Sequence, residues 1–465
     1  MRDAAIALHR YGLGGRGGAA APADPKAWLK AQLTQFEARP ASIAALPHSR
    51  EVVTMLRDRR EMKRDKKQSE KMTAQGDDAT DPAAFMALQK QVREVYVRAV
   101  GVRTDLALST QTPFVERLVH FWANHFAISV DKIVTVGLAG AFEFEAIRPH
   151  VLGTFGAMLG AVERHPAMLL YLDQAQSIGP GSQLAQRAAR RDKDLGLNEN
   201  LAREILELHT LGVRSGYSQT DVTEFARAMT GWTVGGIARQ RYLQGPGPGF
   251  WFAEGIHEPG SRKVLGKSYG QNGEAQAQAV LDDLAAHPAT ARHIATKLAR
   301  HFAGDVPPPA LVARLEQAFL SSGGDLPTLY RVLIDAPEVW NGAPKFRTPW
   351  EWSIAALRAT GVSKLPGASA AGAFQQLGQP VWKPGSPAGY DDTAPSWAGP
   401  DALYRRVEVA QRIAQRTAPA IDARTLAAQL FPGALSQPTA DALARAESGE
   451  QALALLLVSP EMIRR

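Results

Sequence analysis

Glu204 and Glu207 stand three residues apart in the stretch 198–213, with Arg203 beside them and His209 just beyond. At 3.6 residues per turn, Asn200, Arg203, Glu204, Glu207, Leu208 and Leu211 fall on one side of a helix. His209 turns toward Ile205 and Val213. Two carboxylates at this spacing can serve as a general acid and base, or as ligands of a divalent metal, with Arg203 orienting them. The same residues can instead form buried ion pairs that pin neighbouring helices. Burying so polar a cluster is costly, and function is usually kept where such a cost is carried.

A second set lies in 120–126. His120 and Asn124 are one turn apart, and His125 sits beside Phe121. A histidine among Phe and Trp is commonly a core residue. Two histidines and an asparagine in seven positions nevertheless suit a metal ligand or a base, and His125 and Asn124 are the candidates. Glu143, Glu145, Arg148 and His150 form a third set. His165, next to Pro166, reads as a helix cap. A Gly-rich loop carries His257 and Lys263 and could close over a substrate, with Arg227 nearby on the preceding helix. Lys297 and His301 are four apart and face the same way, as a surface pair would. No Walker or dinucleotide-type Gly-rich loop, Gly-x-Ser-x-Gly elbow or His-Glu-x-x-His occurs. Nucleotide hydrolysis, the common serine hydrolases and typical zinc proteases are disfavoured.

The elements that must position these residues read as helical. From about 85 to 234 apolar residues recur at three and four, with Thr110 and Thr112 as caps before Pro113 and Ser218/Asp221 spaced as a capping box. Helices resume at about 274–303, 308–321, 325–336, 348–361 and 400–465. Two irregular stretches interrupt them, 236–272 and 378–400. The first can hold short strands around 250–252 and 264–266. In the second, Trp382, Tyr390 and Trp397 argue for order. Residues 57–71 hold eight basic and four acidic side chains. This run reads as a solvated insertion over about 57–80 laced by i,i+4 pairs. No aromatics interleave to stack on bases, so nucleic acid is disfavoured. The expected fold is mainly α: one large helical domain over 1–465, with ordered loops and room for a short β-hairpin.

The 465 residues carry a net charge of +7, which suits acidic partners without requiring them. The absence of cysteine removes disulfides, thiolate ligands and cysteine nucleophiles. No apolar run approaches the length of a membrane span. The first fifteen residues place His9 and Arg10 where a signal peptide needs apolar residues. Taken as it stands, the chain reads as cytoplasmic. A start further upstream would make it periplasmic or secreted.

Several motifs resemble, in order, those of the bacterial family called domain of unknown function 1800. They are 8–14 (LHRYGLG), 121–126 (FWANHF), 165–173 (HPAMLLYLD), 198–213 (NENLAREILELHTLGV) and 216–233 (GYSQTDVTEFARAMTGWT). His257 with 263–266 (KVLG), 297–302 (KLARHF) and 378–380 (GQP) complete the set. Ala123 stands where relatives often have histidine, which leaves Asn124 and His125 to carry that motif. The resemblance implies a mostly helical fold with a shared polar centre, and no established reaction. Many relatives resemble exported proteins and lie beside alkaline-phosphatase-like partners.

Together these features point to an enzyme whose site lies between the helices of Asn124/His125 and Glu204/Glu207. His125 would act as base or metal ligand and Glu204 or Glu207 as acid, with Arg203 and Arg227 orienting the carboxylates. His257 and Lys263 would bind substrate from the flap, and Trp382 and Tyr390 would stack on sugar rings. The expected reaction is hydrolysis or elimination on a polymeric carbohydrate, and the positive charge allows an anionic one. A divalent metal held by His125, Glu204 and Glu207 is open. One alternative is a non-catalytic scaffold whose charged cluster is a structural ion-pair network. Another is a metal-dependent oxidoreductase, which would need more carboxylate–histidine pairs at i,i+3.

Overall fold

Proline marks the starts of helices in this chain. Pro113, Pro166, Pro288, Pro349 and Pro400 all open helices, where the missing N–H has no intrahelical partner to lose. The computed structural model describes residues 1–72, 82–190, 195–237 and 245–465. They form a mainly α-helical fold with two small antiparallel sheets. No helix among them is long and apolar enough to cross a membrane.

The helices that build the site are Ser49–Met72 (α1), Pro82–Ser109 (α2), Pro113–His125 (α3), Phe155–Arg164 (α4), Asn200–Glu204 (α5), Gln219–Met229 (α6), Pro288–Ala303 (α7) and Pro349–Ala359 (α8). The charged run from 57 continues α1 as far as Met72, and residues 73–80 lie outside the described residues. The single helix expected over 274–303 is two. Pro288 forces His287 into an extended conformation, and the His287 side chain then caps α7 by accepting from the Ala289 N–H. Ser218 and Asp221 form the expected capping box on α6. His165 caps the helix that begins at Pro166.

Two hairpins stand where one was expected. Trp232–Gly235 (β1) pairs with Gly249–Phe252 (β2), and Arg262–Val264 (β3) pairs with Lys267–Tyr269 (β4). The second turns through Leu265 and Gly266, both at positive φ, as a two-residue turn of this hand requires. The Asp221 carboxylate accepts from the Leu265 N–H at 2.7 Å and ties this hairpin to α6.

The largest apolar core gathers Tyr11, Phe114, Trp122, Phe302, Tyr330 and Trp340. A second core of C-terminal helices contains Trp352, Leu430, Leu453 and Leu457. Helix α8 serves both, with Trp350 and Ile354 in the first and Trp352, Ala355 and Ala356 in the second. Helix α3 is buried along nearly its whole length. Each large apolar side chain it withdraws from water contributes about 1.5–3 kcal/mol. That burial fixes His120, Asn124 and His125 on a rigid support.

Candidate active site

Between α3, α7, the start of α8 and the loop 379–392 lies a cavity of about 420 Å³. This is the size of a small-molecule site. Arg103 of α2 reaches its wall, beside Trp350 and Trp382.

Three π-helical segments occur among the described residues, Ala7–Tyr11, Glu143–Ile147 and Ile205–His209. Each of them is tied to a residue of the cavity wall. Beyond the first, the Gly12 carbonyl accepts from Arg117 Nε at 2.8 Å. In the second, Glu143 accepts from Arg103 Nε at 2.8 Å and from Trp382 Nε1 at 2.7 Å. The third leaves carbonyls at its C-terminal end without helical partners. Leu208 accepts there from His293 Nε2 at 3.2 Å, and His209 from His125 Nε2 at 3.1 Å. A carbonyl only accepts, so each imidazole carries its proton on Nε2 and a lone pair on Nδ1. π-Turns are frequent at functional sites, and here they aim the side chains of the cavity wall.

His125 is buried, and its Nδ1 has no partner among the described residues. Burial, then the neighbouring Lys297, His293 and His209, hold it well below its usual protonation range. Asn124 also lines the cavity, but both ends of its amide are engaged. Nδ2 donates to the Tyr390 carbonyl at 2.8 Å, and Oδ1 accepts from the Tyr390 N–H at 2.7 Å. The expected catalytic asparagine is a clasp that holds the covering loop. Gly389, at φ +84°, permits this approach, because a Cβ there would lie 2.3 Å from the Asn124 carbonyl oxygen.

Trp382 and Tyr390 line the cavity as expected. Trp382 takes φ +50°, a strained conformation for a bulky residue, and Glu143 holds its indole. Arg103 lies over the Trp350 ring, 4.1 Å from its centre.

Glu204 and Glu207 do not line this cavity. They are half-buried on the other side of the 200–209 segment. Burial raises Glu204, His209 opposes this and Glu207 adds to it. Arg203 donates to Glu199 at 3.1 Å and to Gln219 at 3.0 Å. Arg227 pairs with Glu224 rather than with either carboxylate. His257 donates to the Thr230 carbonyl at 2.7 Å, and Lys263 is exposed on β3. The loop carrying them packs on α6 and lies away from the cavity, so 379–392 is the segment that covers it. His125, Glu204 and Glu207 are not brought together. Among the described residues no three histidine, cysteine or carboxylate side chains are grouped as a metal ion requires.

The strongest chemistry lies where a surface pair was expected. Lys297 and His301 of α7 face the cavity. His301 Nδ1 is 3.0 Å from Asp392 Oδ2, and its buried Nε2 has no partner among the described residues. A carboxylate accepts, so Nδ1 bears the proton and Nε2 the lone pair. Burial lowers His301 to about 4 despite Asp392, leaving it neutral at pH 7. Burial pushes Asp392 up, but His301 and Lys345 more than offset it and leave it at about 2. Lys345, itself buried, donates to the Arg300 carbonyl at 2.8 Å and the Asp392 carbonyl at 2.5 Å. Deeper in the wall, Arg117 and Arg465 both pair with Glu351, which they hold well below the carboxylate range against the opposing effect of burial. His120 accepts from Trp350 Nε1 at 3.2 Å and is a half-buried wall residue.

The model of the family described as "Protein of unknown function (DUF1800)" matches residues 6–464. The chain belongs to the DUF1800 family. No curated protein and no solved structure matches it. Five of the motifs that resembled this family meet at the cavity: 8–14 through Gly12 and Leu13, 121–126, 198–213 through Leu208 and His209, 297–302 and 378–380. The DUF1800 motifs at 216–233 and 263–266 instead join each other through Asp221 and the second hairpin.

Proposed function

We propose that the cavity is the active site of an acid/base enzyme, a hydrolase or lyase acting on a polymeric, anionic carbohydrate. The observation that carries this reading is the His301–Asp392 pair: an imidazole fixed by a carboxylate, neutral, with an unpartnered Nε2 on a cavity of ligand size. Asp392 orients the ring, and Lys345 braces Asp392. In elimination, His301 Nε2 takes the proton on the carbon next to the substrate's carboxylate. The C–O bond to the leaving sugar then breaks, a C=C bond forms, and the imidazolium returns the proton to the departing oxygen. In hydrolysis the same nitrogen takes a proton from water and returns it to the leaving oxygen. Lys297 and Arg300 on the cavity wall favour an anionic substrate over a neutral one.

The test is a panel of uronate-containing, sulfated and neutral polysaccharides, with products read by mass spectrometry. Wild-type protein should release fragments from an anionic polymer. Asp392→Asn should cut the rate by roughly 10²-fold or more, the usual scale of losing a positioned base. Cleavage of no polymer, or equal rates for the two proteins, would overturn the reading.

A further inference from the structure

The cavity wall holds two kinds of cation. Arg103 is matched by Glu143, and Arg117 by Glu351. Lys297 and Arg300 differ. Among the described residues neither side chain has a carboxylate within ion-pair distance or a hydrogen-bond partner, and Arg300 Nε is buried without one. The nearby acids are committed elsewhere. Asp392 is taken by His301 and Lys345, and Asp391 accepts from Thr393 and Ser396. Lys297, Arg300 and His301 follow one another on α7 at i, i+3 and i+4, so they share one face. Both side chains are half-buried in the wall. A charge even partly withdrawn from water without a partner is costly, and a ligand can supply the partner.

We infer that Lys297 and Arg300 form a clamp for an oxyanion of the substrate, a carboxylate or the equivalent oxygens of a sulfate or phosphate group, within one helical turn of the base His301. This deepens the acid/base reading and rests on it for the catalytic meaning of the clamp. Anion binding itself can be measured without turnover. The clamp sets the substrate's register, because an anionic group held by α7 places the adjoining carbon and its proton beside Nε2. Charge neutralisation there also makes a proton next to a carboxylate easier to remove. Arg300, with five donors in a planar fork, fixes the geometry, and Lys297 adds a compact point charge.

The experiment uses full-length protein carrying His301→Asn, so that ligand is bound and not consumed. Titration calorimetry is run with an oligouronate, a sulfated oligosaccharide, inorganic phosphate and a neutral oligosaccharide. The expected result is binding of at least one anion and none of the neutral sugar. Whichever anion binds best identifies the source of the oxyanion. Adding Lys297→Ala or Arg300→Ala should weaken that binding by roughly ten- to a hundredfold, the usual loss for a charge-assisted hydrogen bond. Lys297→Arg should keep most of it. The same alanine variants should raise the unfolding midpoint of the ligand-free protein, which a structural role for either cation would lower. Equal binding of neutral and anionic sugars, no anion binding, or unchanged affinity in both alanine variants would overturn the clamp. Anion binding that survives while the polysaccharide panel shows no cleavage would leave the clamp standing and remove the acid/base reading alone.

Discussion

Two polar clusters of this protein differ in one respect that matters. Around Arg203, charge is dense and paired: Arg203 meets Glu199 and Gln219, and Thr223 donates to Glu199 at 2.5 Å. Arg203 and Glu199 are 39% and 28% exposed, so water already screens the pair. Around His301, charge is just as dense but incomplete. Among the described residues Lys297 and Arg300 lack partners, and Nε2 of His301 and Nδ1 of His125 are bare and buried. A cluster whose groups satisfy one another stabilises or does nothing. A cluster that leaves buried polar atoms open is waiting for something the chain does not supply.

The largest effect that would break this contrast is on turnover. His301→Asn removes the bare Nε2 lone pair and should lower the rate roughly 10²–10⁴-fold, while Arg203→Ala leaves it near the parent. Steady-state rates on the polymer that wild type cleaves will decide. Next comes stability at the satisfied part of the cavity. Glu351→Ala strands Arg117 and Arg465 in the interior and should cost about 3–5 kcal/mol in denaturant unfolding. At the open part the sign reverses. Lys297→Met should gain about 0.5–2 kcal/mol at pH 7, since removing a strained functional group commonly stabilises. The smallest effect belongs to the surface cluster, where Arg203→Ala should cost less than about 1 kcal/mol.

A pH series sharpens the third prediction. Burial lowers Lys297 to about 8 from its ordinary 10.5, with Asp392 opposing the shift and Arg300 adding to it; His125 and His293 also face it across the cavity. The folded state therefore resists the charged form. The favourable contribution of a lysine so depressed is complete above 10.5 and lost as pH falls to about 8. The gain from Lys297→Met should accordingly be full below pH 8 and shrink to nothing between 8 and 10.5. A gain independent of pH would mean that packing, not charge, produces it.

Much of the architecture was legible in the sequence. Pro at helix starts, the Ser218/Asp221 box and apolar spacing mark the helical elements. Trp382 and Tyr390 marked 378–400 as an ordered loop, and it covers the cavity. The site was legible only in part, for two physical reasons. The 3.6-residue period used to place Glu204 and Glu207 fails at Ile205–His209, where a π-turn takes an extra residue and rotates the positions after it. The contribution of that motif to the cavity comes from backbone carbonyls, which carry no side-chain signature. The His301–Asp392 pair joins positions 91 residues apart, so no local pattern could announce it. The signal that was present is Lys297, Arg300 and His301 on one face of α7.

The central claim is that His301 is held neutral by burial, with its proton on Nδ1 toward Asp392 and a bare Nε2 toward the cavity. A pH titration of the ¹⁵N shifts of His301, assigned by comparison with His301→Asn, tests it directly. The account predicts the Nδ1–H tautomer and a neutral ring down to about pH 4, against 6.5 for an ordinary histidine. A proton on Nε2, or a midpoint at 6.5, would contradict it.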